Sequence, residues 1–354
     1  MMRRFLSSRG APVKLNISRE IQGEKSGDFY LALTPKYRVF VLANGKKISP
    51  WHDLPAFPLT NDSREAQYLI TFVNEIPRGS TAKMEVATKE EGNPIKQDIN
   101  KKTKTLRNYP FTSLVNYGMI PQTWESPKHE FIPGCFGDND PVDVCDVGAP
   151  LLEVGQVAVC KVLGIAGMID EGEMDWKVIA INREDPKSAM INTIQDLERL
   201  QPGKVERILQ WFKQYKVPDG KPLNTFAFDD EVKDADFAMR VVRQTHQHWR
   251  DLDAIKSEGL WMSDELEGKI AQMKRREQAE FDGEHAKKEN KDKIVQELID
   301  QVQEVSKEVT DEFLAAQSQK NVEKAEAENA ARIQKEKEAA AAAAADAGGK
   351  KKKQ

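Results

Sequence analysis

The sequence is poor in the features that mark several large classes of protein. It has three cysteines, Cys135, Cys145 and Cys160, and no CxxC pair. That excludes a disulfide framework and a zinc knuckle and suits a reducing compartment. Cations are not in excess: 53 Lys+Arg face 57 Asp+Glu, a net charge of −4. No specific nucleic-acid partner is expected, since such binders carry a basic excess. No apolar run is long enough to span a bilayer. Mean hydropathy is −0.62, and the most apolar stretch, 151–169, is interrupted by Glu153, Gln156 and Lys161. The patterns GxxxxGK[S/T], GxGxxG and HExxH are missing, so a P-loop enzyme, a dinucleotide enzyme and a zincin are unsupported.

Two local absences divide the chain. The first 19 residues contain no acid but hold Arg3, Arg4, Arg9, Lys14 and Arg19. With Phe5, Leu6 and several serines, this predicts an amphipathic organelle presequence and N-terminal arm over 1–27. No proline follows Pro222. Beyond 255 the chain is rich in Glu, Lys, Ala and Gln, which predicts a helical extension over 255–319. Val295, Leu298, Val302, Val305 and Val309 form a short heptad stripe there, suited to a coiled coil. Residues 320–354 end in seven alanines and a lysine cluster and read as a solvated low-complexity tail.

Between them, 28–254 reads as one domain. Short β-type runs occur at 37–42, 67–73, 83–87, 156–169 and 176–181. Two helical patterns close it: Val205, Ile208, Leu209 and Phe212, then Phe237, Val241, Thr245 and Trp249. Many short strands followed by helices predict a β-barrel with helices outside.

The chemistry concentrates in GDNDPVDV, which packs Asp138, Asp140 and Asp143 into six residues. Carboxylates this close repel, and a hard cation such as Mg²⁺, Mn²⁺ or Ca²⁺ would compensate. An EF-hand fails, because Val142 would fall on a ligand position and Asp143 on the required glycine. A solvated acidic turn is the plain alternative. A second group, MIDEGEMDWKVIAI, holds Asp170, Glu171, Glu173, Asp175 and Lys177, with Asp170 and Asp175 at the two ends of a tight turn. A third, EIPRGSTAKMEV, holds Glu75, Lys83 and Glu85; the last two alternate with Met84 and Val86 and so share a strand face. Arg107, Tyr117, Tyr215, Lys216 and Lys221 add cations and phenols. Several carboxylates with several Lys/Arg match what phosphoryl transfer needs: divalent metals and cations neutralising a polyanion.

Together the blocks SPWHDLP, EIPRGSTAKMEV, NPIKQD, NYGMIPQTWE, GDNDPVDV, IDEGEMDWKVIAI and YKVPDGKP resemble the soluble family I inorganic pyrophosphatases of eukaryotic type. The wording of KMEVATKEE and GCFGDNDPVD is similar to the organellar branch of plants and algae. The resemblance implies a mainly β fold with α: a five-stranded OB-like barrel flanked by helices. It implies Mg²⁺-dependent hydrolysis of pyrophosphate to two orthophosphates by a metal-bridged water, with no covalent intermediate. Asp138, Asp143, Asp170, Asp175, Glu85 and Glu75 would hold several Mg²⁺, with Mn²⁺ a substitute. Asp140 would be the general base, hydrogen-bonded by Tyr117. Lys83, Arg107, Lys177, Tyr215 and Lys216 would grip the phosphates, with Lys104 an alternative to Arg107. Ser113 and Gly79 depart from the yeast-like pattern, the latter at a dimer contact, so the oligomer is not implied. The leader points to the mitochondrion, the family branch to a plastid. A second reading is a pyrophosphatase-fold scaffold docked in an organellar assembly, or a homo-oligomer, through 255–319.

Overall fold

Alternation of apolar and polar residues builds most of the strands. In Pro12–Ile21 (β1), Leu15 and Ile17 pack toward the core while Asn16 and Ser18 alternate with them. Tyr37–Ala43 (β2) pairs antiparallel with β1 over the full length of β2, Leu15 opposite Ala43 and Ile21 opposite Tyr37. The computed structural model describes residues 4–6, 12–21, 24–25, 34–58, 65–100, 102–283 and 307. By their contacts the residues group into Met1–Ser306 and Lys307–Gln354, and the sheets and helices described here belong to the former.

Two sheets are present among the described residues. A seven-stranded sheet contains β1, β2, Met84–Val86 (β3) and Ile95–Gln97 (β4). A nine-stranded sheet contains Leu69–Ile76 (β5), Asn116–Met119 (β6), Asp143–Asp146 (β7), Val157–Asp170 (β8) and Glu173–Asn182 (β9). Within it β9 pairs with both β7 and β8, β8 with β5, β5 with β6, and β6 with β7. These five strands therefore close a circuit of pairings. β5 is buried at every residue and β9 at every residue after Glu173, so Glu75, Asp175 and Lys177 are charged side chains carried on covered strands.

The helices follow the predicted apolar spacing. Lys204–Gln214 (α1) buries Val205, Ile208, Leu209 and Phe212. Ala235–Trp249 (α2) starts at an Asp234 cap, whose side chain accepts from Phe237 N–H, and buries Phe237, Val241, Thr245 and Trp249. Packing runs beyond both expected domain limits. β1 lies before residue 28 and belongs to the first sheet. After 254, Ile255, Leu260, Leu266 and Ile270 join the core, the last two from Asp264–Gly283 (α3). The expected heptad stripe of 295–309 and the tail of 320–354 lie outside the described residues. No described helix is long and apolar enough to cross a membrane.

Candidate active site

A cavity of about 750 Å³ opens where β3, β6, β7 and the β8–β9 turn converge. Nine carboxylates and five cations line it. Twelve of the thirteen expected site residues are among the lining: Glu75, Lys83, Glu85, Arg107, Tyr117, Asp138, Asp140, Asp143, Asp170, Asp175, Tyr215 and Lys216. The thirteenth, Lys177, lies behind the wall and is only 2% exposed. Arg107 faces the cavity, whereas Lys104 is exposed and outside its lining.

Each side chain is aimed by its element. Strand register sets the central group. Asp143 on β7 lies opposite Lys177 on β9, and Asp175 is two residues before Lys177, on the same face. Lys177 Nζ donates to Asp143 Oδ2 at 2.5 Å, to Asp175 Oδ1, and to Tyr117 Oη at 3.0 Å. Burial opposes the Lys177 charge, but Asp143 and Asp175 outweigh it and raise its pKa well above the usual lysine value. Tyr117 donates to Asp143 Oδ2, not to Asp140 as the resemblance implied. The reason is register: Tyr117 faces Cys145, so Asp143, two residues along, is its diagonal neighbour, while Asp140 sits in the loop before β7.

Glu75 enters through a β-bulge. Asn74 pairs with Gly118 and Ile76 with Tyr117, so Glu75 is the extra residue, and its carboxylate turns to accept from Val86 N–H at 2.6 Å. Burial first, then Asp143, pushes its pKa well above the usual carboxylate value. Asp170 and Glu173 pair across a two-residue turn. Glu171 has φ 52° and Gly172 φ 95°, both in the left-handed region such a hairpin demands. Lys216, just past α1, donates to Asp170 Oδ1 at 2.6 Å, and Tyr215 donates to Oδ2 at 3.3 Å. Lys83 bridges Glu85 at 2.6 Å and Asp98 at 3.0 Å, while Arg107 reaches Asp98 at 2.6 Å.

The loop 138–140 is tied down by its backbone. Asp140 N–H donates to Asp138 Oδ1 at 3.0 Å, and Asn139, at φ 74°, accepts from Trp124 Nε1 at 3.0 Å. Burial, followed by the Glu85 charge, pushes Asp140 up to about 7. Burial pushes Asp175 up to about 7 as well, against the pull of Lys177. These carboxyls are crowded and desolvated together, and a bound divalent cation would restore their ionised forms. One carboxylate oxygen each from Glu125, Asp138 and Asp175 lies within 4.8 Å of the others. The donors are all hard oxygens, which fits Mg²⁺ or Mn²⁺.

Sequence reasoning missed Asp98, Tyr109 and Glu125. Asp98 lies in NPIKQD and Glu125 at the end of NYGMIPQTWE, but neither stands in a charged cluster. Only the fold brings Asp98 to Lys83 and Arg107, and Glu125 to Asp138.

A model of the inorganic pyrophosphatase family matches residues 72–250. An inorganic pyrophosphatase of Pongo abelii is 48% identical over 233 residues, 64% of this chain and 78% of that protein. The chloroplastic soluble inorganic pyrophosphatase 6 of Arabidopsis thaliana is 47% identical over 219 residues, 61% of this chain and 70% of that protein. The crystal structure of an N-terminally truncated vacuolar soluble pyrophosphatase of Trypanosoma cruzi, in complex with PPi, superposes with a TM-score of 0.62 at 39% identity. It covers 68% of this chain and 92% of that one.

Proposed function

The chain belongs to the inorganic pyrophosphatase family and is a hydrolase of pyrophosphate; from that premise we propose that its cavity splits pyrophosphate with bound Mg²⁺, in one displacement and with no covalent intermediate. The observation that carries this reading is the convergence of Asp138, Asp140, Asp143, Asp170 and Asp175 with Lys83, Arg107, Tyr215 and Lys216 on one cavity. The closed circuit of five strands supports reading the scaffold as an OB-like barrel.

Glu75, Glu85, Asp138, Asp143, Asp170 and Asp175 would hold the divalent ions, which supply Lewis-acid stabilisation and acidify water when bound. Asp140, which the bound cations would keep ionised, would take the proton of the attacking water. Tyr117 and Lys177 hold Asp143 in place from behind. Lys83, Arg107, Tyr215 and Lys216 donate to phosphate oxygens and neutralise charge on the leaving group. Lys83, Arg107 and Lys216 are held by Asp98 and Asp170 until a more highly charged anion competes for them.

Orthophosphate release from pyrophosphate, with and without Mg²⁺, tests the reading. Wild type should depend on Mg²⁺, and Asp140→Asn should lose about 10²- to 10⁴-fold in turnover, the usual share of a general base. No release from folded wild type with Mg²⁺ or Mn²⁺ would sink it. For location we infer an organelle, the mitochondrion on the strength of the short basic leader, although the Arabidopsis relative is chloroplastic. A fusion of residues 1–27 to a fluorescent protein should reach mitochondria; a diffuse or plastid signal rejects that assignment.

A further inference from the structure

A second concentration of charge lies at the far end of the strands that build the active site. β7 and β9 run parallel, and Asp143, Asp175 and Lys177 stand near their starts. Past their ends, residues of the segments 147–149 and 185–187 line a pocket of about 440 Å³ together with Arg78, Gln201 and Lys204, the first residue of α1. Three cations face it, Arg78, Lys187 and Lys204, against one carboxylate, Asp185. The active-site cavity has the opposite balance, with nine carboxylates to five cations.

The single carboxylate is committed to the backbone. Asp185 Oδ2 accepts from Ala149 N–H and its Oδ1 from Lys187 N–H, both at 2.6 Å. Glu198, near the start of α1, is engaged in the same way, by Gly203 N–H at 2.6 Å and Val205 N–H at 2.7 Å. Arg78 donates from Nη1 to the Gly148 carbonyl at 2.9 Å and from Nη2 to the Ala149 carbonyl at 2.7 Å. These neutral partners fix the guanidinium plane and leave its charge uncancelled. Lys204 Nζ donates to the Leu114 carbonyl at 3.4 Å, a long bond to another neutral group. No carboxylate pairs with any of the three cations among the described residues. Burial, then the positive charges of Arg78 and Arg207, pull the Lys204 pKa below the usual lysine value. Desolvated like charges of this kind are relieved by an anion.

We propose that this pocket binds a phosphoryl dianion between the Lys204 ammonium and the remaining N–H groups of Arg78, with Lys187 at its rim. A planar guanidinium fixed in place suits two oxygens of a tetrahedral phosphoryl group, and more than one positive charge suits a dianion. Free orthophosphate and a phosphate monoester present the same group, and the pocket has room for the organic part of the latter. The site shares no lining residue with the active-site cavity. Lys204 opens α1 and Lys216 lies just past its end, so the eleven residues of the helix, roughly 16 Å, separate the two. Arg78, Lys187 and Lys204 are scattered along the chain, and only the fold collects them.

Equilibrium dialysis of radiolabelled orthophosphate against the full-length protein in EDTA, with glycerol phosphate as competitor, is the test. Lys204→Gln should weaken phosphate binding by about tenfold or more, as loss of a charge-assisted hydrogen bond does. Lys204→Arg should restore most of it. Lys216→Gln, which alters the active-site cavity alone, should bind like wild type. Without phosphate, Lys204→Gln should turn over pyrophosphate like wild type and melt no lower, because the change relieves repulsion from Arg78 and Arg207. Added phosphate should then raise its Tm less than it raises that of wild type. Wild-type phosphate affinity in Lys204→Gln, or a loss in Lys216→Gln instead, would overturn the proposal. So would a wild-type protein that binds neither orthophosphate nor glycerol phosphate. Tighter binding of glycerol phosphate would identify the ligand as a monoester; tighter binding of orthophosphate would identify it as the free ion that the enzyme itself releases.

Discussion

Lys177 holds three groups of the site at once, Asp143, Asp175 and Tyr117, from a position almost without solvent. Two carboxylates that meet there without it would repel in a desolvated pocket. Removing one partner of a buried ionic group costs about 3–5 kcal/mol, because the remaining charges stay buried. Lys177→Met should therefore lower the unfolding free energy by roughly that amount in EDTA, read by urea denaturation. Mg²⁺ should close part of the gap by supplying the missing positive charge. An equal loss with and without Mg²⁺ would mean that the lysine acts by packing alone. Single residues were unevenly legible at this scale. Asp138, Asp140 and Asp143 announce themselves by proximity in sequence. Glu75 is named by its block but not aimed by it, since a bulge decides where it points, and Asp98 stays hidden until the fold brings it to Lys83 and Arg107.

Elements carry the next level of control. The two-residue turn between β8 and β9 brings Asp170 and Asp175 to one cavity, and the spacing in MIDEGEMD made that legible. Another junction was not legible. His52 accepts at Nδ1 from Trp249 Nε1 of α2 at 2.8 Å, and its Nε2 lies 2.9 Å from the Trp261 carbonyl. It joins the 51–54 segment, the end of α2 and the stretch before α3. Burial pushes its pKa down to about 4 from an ordinary value near 6.5. The unfolded chain therefore binds the proton first. The stability that His52 contributes is full above about pH 6.5 and is lost as pH falls through 4. His52→Gln removes this dependence. Its stability deficit relative to wild type should shrink by about 2 kcal/mol between pH 7 and pH 5, read by denaturant unfolding at both values. A deficit that stays constant with pH would show that the histidine is protonated in the fold as readily as outside it.

At the scale of the whole molecule, the chain beyond the family match divides in two. Ile255, Leu260, Leu266 and Ile270 are buried in the core, and Trp261 N–H donates to the Thr88 carbonyl at 2.8 Å. Burying one such aliphatic side chain contributes about 1.5–3 kcal/mol, so the segment up to α3 belongs to the stability of the body. A chain ending at 283 should keep wild-type turnover and Tm. A chain ending at 254 should melt lower by many degrees, or fail to fold, whatever its catalytic residues. Should the chain ending at 283 lose turnover, the residues after it would belong to the enzyme itself; intact turnover with loss of a bound partner would place them in assembly.

The sequence alone determined the family and much of the local structure. Its charged blocks named twelve residues that the fold gathers on one cavity. Apolar periodicity found β2, β5, β8, β9, α1 and α2 to within a few residues, because both signals are local and survive without a fold. Tertiary structure decided what depends on partners distant in sequence. It turned Glu75 inward through a bulge and gave Tyr117 to Asp143 through strand register. It chose Arg107 over Lys104 for the cavity wall, and it sealed Glu125 behind Asp138 and Asp175. In each case the outcome was set by which atoms were left without water or a partner, and that becomes defined only once the strands have closed around them.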